Sequence, residues 1–197
     1  MNTPNKLTLT RIIMSPVFMF FMVYEVGNRM ISLLIAAVIF GLAALTDFFD
    51  GMLARKYGQI TNFGIFLDPL ADKFMIFAAL LSICNSDLVI EQGTVFSSIF
   101  FWCSGIIIFR ELAVTSMRLV VSGEKGIVVP ANFLGKVKTV TQIICVLITL
   151  FESALIPDLF GGIRIFGTVT CVLAALFTVI SGFSYLKAYW KYIKPNK

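Results

Sequence analysis

Residues 47–72 read DFFDGMLARKYGQITNFGIFLDPLAD. The segment joins the end of one long apolar stretch to the start of the next. It places four aspartates, Asp47, Asp50, Asp68 and Asp72, at those two ends. An ionised side chain at the centre of a membrane helix costs about 2.5–3.5 kcal/mol on insertion scales, and less toward the interface. Spacing says more than number. Asp47 and Asp50 stand at i,i+3, and Asp68 and Asp72 at i,i+4, so each pair shares one face of a helix. The residues between Asp50 and Asp68 make a short return. That return predicts two antiparallel neighbouring helices whose acidic faces converge.

Four converging carboxylates repel one another, and a hard cation relieves the repulsion. Oxygen-only ligands suit Mg²⁺, Mn²⁺ or Ca²⁺. Four carboxylates are enough to bridge two ions about 3.5–4 Å apart, an arrangement used for phosphoryl transfer. The plainer alternative pairs these acids with Arg55, Lys56 and Lys73, or leaves them facing water. Gly51, Ala54 and Gly64 are small enough for a ligand or a second helix to come close. Arg55 offers a charge that can neutralise a diphosphate.

Outward from this segment the chain is apolar. Hydrophobic residues make up 58% of the 197 and charged residues 14%, against about 45–50% and 25% in soluble domains. Six apolar stretches, near 9–24, 30–53, 69–86, 95–121, 134–152 and 163–187, are each about long enough to cross a ~30 Å hydrocarbon core. The fold expected is all-α: a polytopic membrane protein of six transmembrane helices forming a single domain over residues 1–197. The first stretch follows Lys6 and Arg11 without a clear small-residue cleavage site, and reads as a retained helix.

Six crossings put both termini on one side. Of the sixteen Lys and Arg residues, all but Arg29 and Arg164 then fall on that side. The bias places both termini, and the aspartates with them, in the cytoplasm. In this setting a net charge of +5 points to an anionic bilayer surface and not to nucleic acid. The short chain carries no transit extension and is expected in a bacterial plasma membrane. Glu25, Asp87, Glu91, Glu152 and Asp158 read as solvated loop residues on the opposite side. Tyr185, Tyr189, Trp190 and Tyr192 read as an interfacial belt.

The chain has no histidine, which removes the commonest general base and transition-metal ligand. Cys84, Cys103, Cys145 and Cys171 lie in or beside apolar stretches and form no C-x-x-C pair. They read as buried small hydrophobes.

Asp47-x-x-Asp50-Gly51-x-x-Ala54-Arg55, eight residues, Gly64, three residues, Asp68, three residues and Asp72 together resemble the signature of the CDP-alcohol phosphotransferases, without gap or substitution. The resemblance implies that family's six-helix fold, a CDP-linked donor, release of CMP and two bound ions, Mg²⁺ or Mn²⁺. It implies that Asp47, Asp50, Asp68 and Asp72 ligate metal, with Asp72 also the general base. Gly51, Ala54 and Arg55 are then expected along CDP-diacylglycerol. The segment Pro4 to Arg11 resembles a second family element in which Asn5, Thr8 and Arg11 hold the CDP moiety. Read alone, Asn5 and Thr8 also suit helix capping. By the same resemblance the protein is expected as a homodimer.

The acceptor is read from a second basic set: Arg110, Arg118, Lys136 and Lys138. Arg110 lies well inside the fourth apolar stretch, and an intramembrane Arg is a functional hypothesis by default. Its neighbour Glu111 is expected to partner something else, since i,i+1 residues do not face each other on a helix. Lys136 and Lys138 point to roughly opposite helix sides, so one of them is expected to reach substrate. Arg and Lys beside a phosphoryl-transfer site suit a phosphorylated acceptor. This region resembles the family members whose acceptor is sn-glycerol 3-phosphate and whose product is phosphatidylglycerophosphate. The alternatives are the cardiolipin synthases of the same family, with phosphatidylglycerol as acceptor, and, from another class, a divalent-cation transporter using the aspartates as an ion path.

Overall fold

In the computed structural model the described residues are 3–57, 62–86, 94–125, 133–157 and 164–193, with side chains described outside 3–4, 49–57, 62–66, 68, 94, 122–125 and 191–193. They form six α-helices: α1 (Thr3–Val23), α2 (Arg29–Tyr57), α3 (Asn62–Cys84), α4 (Thr94–Lys125), α5 (Phe133–Leu155) and α6 (Ile165–Ile193). Five of them, all but α3, contain a described stretch long and apolar enough to cross a membrane.

The helices overrun the apolar stretches, mostly at the end that carries the functional residues. α1 begins at Thr3, α2 continues to Tyr57, and α3 begins at Asn62. A helix satisfies its backbone hydrogen bonds internally, so it continues where the side chains turn polar. Hydropathy marks the part in lipid and misses those turns.

Side-chain pairs fix the topology. Phe18 meets Phe40, with ring centroids 5.8 Å apart, and Arg11 meets Asp47, so α1 and α2 run antiparallel. Arg11 also meets Asp72. Gln142 donates to Thr178 at 3.0 Å, and Glu152 meets Gly167, so α5 and α6 are antiparallel. Arg110 reaches Ser181, and Phe96 lies beside Gly167, so α4 and α6 are parallel. The helix ends that carry the aspartates and the second basic set therefore share one end of the bundle.

Among the described residues α1 lies along both α2 and α3, while α2 and α3 meet at few points. Over those residues α1 is wedged between the two aspartate-bearing helices, and the direct packing that the short return suggests is not where most of the contact lies. Much of the core is Phe, Leu and Ile packed against small residues. Phe40, Phe100, Leu33, Leu80 and Ile83 interlock with Ala36, Ala79, Cys145, Cys171 and Ala174. In lipid the driving force is close contact, which small side chains permit.

Two caps set helix starts away from the functional end. Asn28 Oδ1 accepts from the Ile31 amide at 2.9 Å and caps α2. Glu152 is buried and accepts from the amides of Phe166 at 3.1 Å and Gly167 at 2.6 Å. It is therefore not a solvated loop residue: its carboxylate on α5 satisfies the free donors and positive end of α6. A Cβ on Gly167 would stand 3.1 Å from Thr149 Oγ1 and 3.2 Å from Glu152 Oε2, so any larger residue there would push against the capping carboxylate.

Candidate active site

Arg11 is the centre of the first cluster. Its side chain is 1% exposed, held where α1 passes between α2 and α3. Nη1 lies 2.7 Å from Asp47 Oδ1 and donates to Asp72 Oδ1 as well. A buried guanidinium is tolerable only when paired, and two carboxylates from two helices provide the pairing. The carboxylates themselves face outward, Asp47 with 38% and Asp72 with 50% of the side chain exposed. The cluster thus has a sealed cationic base and an open acidic rim.

Asn5 and Thr8 are buried on α1, within the two turns preceding Arg11. Both lie inside the helix, so the capping reading does not apply; they share with Arg11 a buried polar stripe on α1. Asp50, Gly51, Ala54 and Arg55 fall on the last turns of α2 and Asp68 on α3. Their side chains lie outside the described set. Among the described residues, Asp47 and Asp72 are the two of the four aspartates shown converging.

The second cluster stands on α4, α5 and α6. Arg110 is buried. It donates to Ser181 Oγ at 2.7 Å and to Glu111 Oε1 at 3.0 Å. Lys138 donates to that same Glu111 oxygen. The adjacent pair on α4 does meet, contrary to expectation. The spacing rule describes where Cβ atoms point, and a long Arg side chain bends past it toward Ser181. Tyr185 is buried under two cations: Arg110 Cζ lies 5.5 Å and Arg118 Cζ 5.9 Å from the ring centroid. Both are within cation–π range. Lys136, two residues before Lys138, is exposed, as a 200° rotation about α5 requires.

Glycines make room for this arrangement. A Cβ on Gly182 would stand 3.1 Å from Arg110 Cγ, and one on Gly135 would stand 3.1 Å from the Tyr185 hydroxyl. Lys73 stands near the charges of both clusters. It follows Asp72 on α3 and also feels the charges of Glu111, Arg118 and Arg110.

Tyr185 and Tyr189 pack with Val114 and Val121 and are not belt residues; Trp190 alone of the described aromatics there is exposed. The signal was present in the spacing. Thr178, Ser181, Tyr185 and Tyr189 recur every three or four residues on one face of α6, which a solvent-facing belt would not need.

The sequence has counterparts among known proteins. The sequence model of the family described as CDP-alcohol phosphatidyltransferase matches residues 1–181. A Bacillus subtilis (strain 168) protein named "CDP-diacylglycerol--glycerol-3-phosphate 3-phosphatidyltransferase" is 41% identical over 209 aligned residues, covering 99% of this chain and 98% of the relative. A Mycobacterium tuberculosis protein named "Probable phosphatidylglycerophosphate synthase" is 39% identical, covering 94% of this chain and 80% of the relative. A Rickettsia felis protein carrying the same name as the Bacillus one is 35% identical, covering 97% of each.

Proposed function

The chain belongs to the CDP-alcohol phosphatidyltransferase family, and from that premise we propose that it transfers the phosphatidyl group of CDP-diacylglycerol to sn-glycerol 3-phosphate. The products are phosphatidylglycerophosphate and CMP. It is a multi-pass membrane enzyme. The observation that carries the reading is the placement, at one end of the bundle, of an acidic cluster and a basic one. Arg11, Asp47 and Asp72 supply the first, and Arg110, Arg118 and Lys138 the second.

The donor set fits a hard divalent cation. Oxygens from two helices already converge on one positive nitrogen, so the place between them favours positive charge, and carboxylates suit Mg²⁺ or Mn²⁺. Asp47, Asp50, Asp68 and Asp72 would hold two such ions. When bound, these neutralise the diphosphate and stabilise the departing CMP. The chain's own residues do the rest. Asn5, Thr8, Arg11, Gly51, Ala54 and Arg55 hold and orient the CDP moiety. Asp72, with half its side chain exposed, takes the proton of the acceptor hydroxyl as that oxygen bonds to the phosphorus bearing the diacylglycerol. The bond from that phosphorus to CMP breaks. Positioning and charge stabilisation are the main demands of phosphoryl transfer, so a carboxylate base suffices without histidine.

The acceptor is argued from charge. Arg110, Arg118 and Lys138 bring three positive charges and Glu111 one negative, and Lys73 stands within reach of the same charges. An excess of two or more suits a phosphomonoester dianion better than the single charge of a phosphodiester such as phosphatidylglycerol. Glu111 and Tyr185 hold the cations in place so that fewer rotamers are lost on binding. Lys136 is exposed while Lys138 meets Glu111, which supports Lys138 as the lysine of the acceptor pocket.

The segregation of basic residues supports cytoplasmic termini and a cytoplasmic active site. The homodimer that the family resemblance implies belongs to the same proposal.

The test is CMP release by the purified protein in detergent with CDP-diacylglycerol and Mg²⁺. Glycerol 3-phosphate, phosphatidylglycerol and inositol 1-phosphate are supplied in parallel. Release with glycerol 3-phosphate alone is expected. Release with another acceptor alone would keep the family and overturn the acceptor pocket.

A further inference from the structure

Lys73 is a half-buried cation on α3. Among the described residues the ion pairs at this end of the bundle join Arg11 to Asp47 and Asp72, Arg110 to Glu111, and Lys138 to Glu111. Lys73 takes part in none of them. Its Nζ lies 3.5 Å from the Pro69 carbonyl of its own helix, longer than an ordinary N–H···O bond of about 2.7–3.2 Å. It stands near the charges of Glu111, Asp72, Arg118 and Arg110, so two guanidiniums of α4 are among its neighbours. A lysine that only snorkels to the interface would turn its ammonium from such cations toward water.

The helix fixes where that ammonium can work. Successive residues of an α-helix are turned by about 100°. Asp72 faces α1, where Arg11 donates to it, and Lys73 is turned from it toward the charges of α4. Among the described residues α3 meets α4 and α5 at few points. We propose that Lys73 takes the phosphate of the acceptor from the α3 side, across from Arg110 and Arg118, and so ties the acceptor to the same turn of helix as the base Asp72. The proposal rests on the functional reading for the acceptor class and for the role of Asp72. The acceptor is a short molecule with a hydroxyl at one end and a phosphate at the other. Adjacent side chains that diverge can hold both ends, Asp72 the hydroxyl and Lys73 the phosphate. Their stems start about 3.8 Å apart, and the flexible four-carbon stem of lysine lets its charge follow the phosphate. An anion placed between Lys73 and the α4 guanidiniums also offsets the repulsion among those like charges. A phosphate held on α3 thereby brings the hydroxyl to the helix that carries the base.

The contribution is read in steady-state kinetics of CMP release by the purified full-length protein in detergent. Glycerol 3-phosphate, CDP-diacylglycerol and Mg²⁺ are varied in turn. Lys73→Gln is expected to raise KM for glycerol 3-phosphate by about 10–100-fold, the worth of a hydrogen bond to a charged group. KM for CDP-diacylglycerol and the Mg²⁺ concentration for half-maximal rate are expected to move by less than about threefold, since an exposed carboxylate feels a neighbouring charge weakly. Lys73→Arg keeps the charge and is expected to recover most of the acceptor KM. An unchanged KM for glycerol 3-phosphate in Lys73→Gln overturns the proposal. So does a rise confined to the CDP-diacylglycerol KM or to the Mg²⁺ requirement, which would give Lys73 to the donor side.

A merely structural lysine gives a different pattern. If Lys73 only held α3 in place, Lys73→Gln would lose kcat and Tm together while the acceptor KM stayed put, and that result counts against the proposal. Should Lys73→Gln not fold, Lys73→Met keeps the apolar stem and serves in its place; failure of both to fold makes Lys73 a structural residue and overturns its role at the acceptor. The two levels of failure are distinguishable. Wild-type release with glycerol 3-phosphate alongside an unaltered variant sinks the role of Lys73 and leaves the enzyme reading standing. A wild type that releases no CMP with glycerol 3-phosphate sinks both.

Discussion

At the level of single residues, the proposed site divides into groups assigned to touch substrate and groups that hold them. Asp72 is proposed to touch. Asp72→Asn keeps the shape, removes the base, and is expected to lower CMP release by about 10²–10⁴-fold, the usual worth of a general base. Unchanged rates from a folded variant would remove Asp72 from that role. The two lysines of α5 give a sharper contrast. Lys138 is directed at Glu111, and Lys136 faces out. Lys138→Ala is expected to cost about 10–100-fold in kcat/KM for glycerol 3-phosphate, the equivalent of losing a charged hydrogen bond. Lys136→Ala is expected to change it by less than about twofold, since exposed charges contribute little. Steady-state kinetics with the acceptor varied settle which lysine belongs to the pocket.

At the level of elements, the helices were legible in the sequence and their mutual placement was only partly so. Apolar length located all six, and the segregation of basic residues checked the count. The spacing of Asp47, Asp50, Asp68 and Asp72 marked the faces that matter. The wedge of α1 was not legible, because a short return between α2 and α3 speaks of connection and not of contact. Nor was Glu111 as the joint between Arg110 and Lys138, since helix spacing rules carry no information about where a long side chain bends. The role of Glu152 was hidden for a related reason. An acid at the edge of an apolar stretch looks solvated until the neighbouring helix start is seen beside it. That cap is testable alone. Glu152→Ala leaves the Phe166 and Gly167 amides without their acceptor and is expected to cost about 1–3 kcal/mol, read as a lower Tm in detergent. Because Glu152 lies at the far end of the bundle, kcat/KM at temperatures well below that Tm is expected to hold. Loss of activity without loss of stability would contradict a purely structural cap.

For the whole molecule, orientation decides whether the chemistry is possible. A phosphorylated three-carbon acceptor is a charged metabolite and does not cross the bilayer unaided, so the basic cluster must open where that acceptor is made. The sixteen basic residues supply the orientation signal, with Arg29 and Arg164 alone at the far end. A cysteine probe can read it directly. Cys103, Cys145 and Cys171 are buried and Cys84 is half-buried, so native thiols give a low background to a membrane-impermeant maleimide. Lys6 is exposed beside the acidic cluster, and Val26 is exposed in the α1–α2 connection at the opposite end. In intact cells Val26→Cys is expected to label and Lys6→Cys to stay unlabelled until the membrane is permeabilised. The reverse pattern would place the acceptor pocket on the outer face, away from its metabolite, and would count against glycerol 3-phosphate as the acceptor even in a family member. Labelling of both in intact cells would mean that α1 does not cross. The Arg11–Asp47–Asp72 cluster would then have to form outside the membrane frame that holds its three helices together.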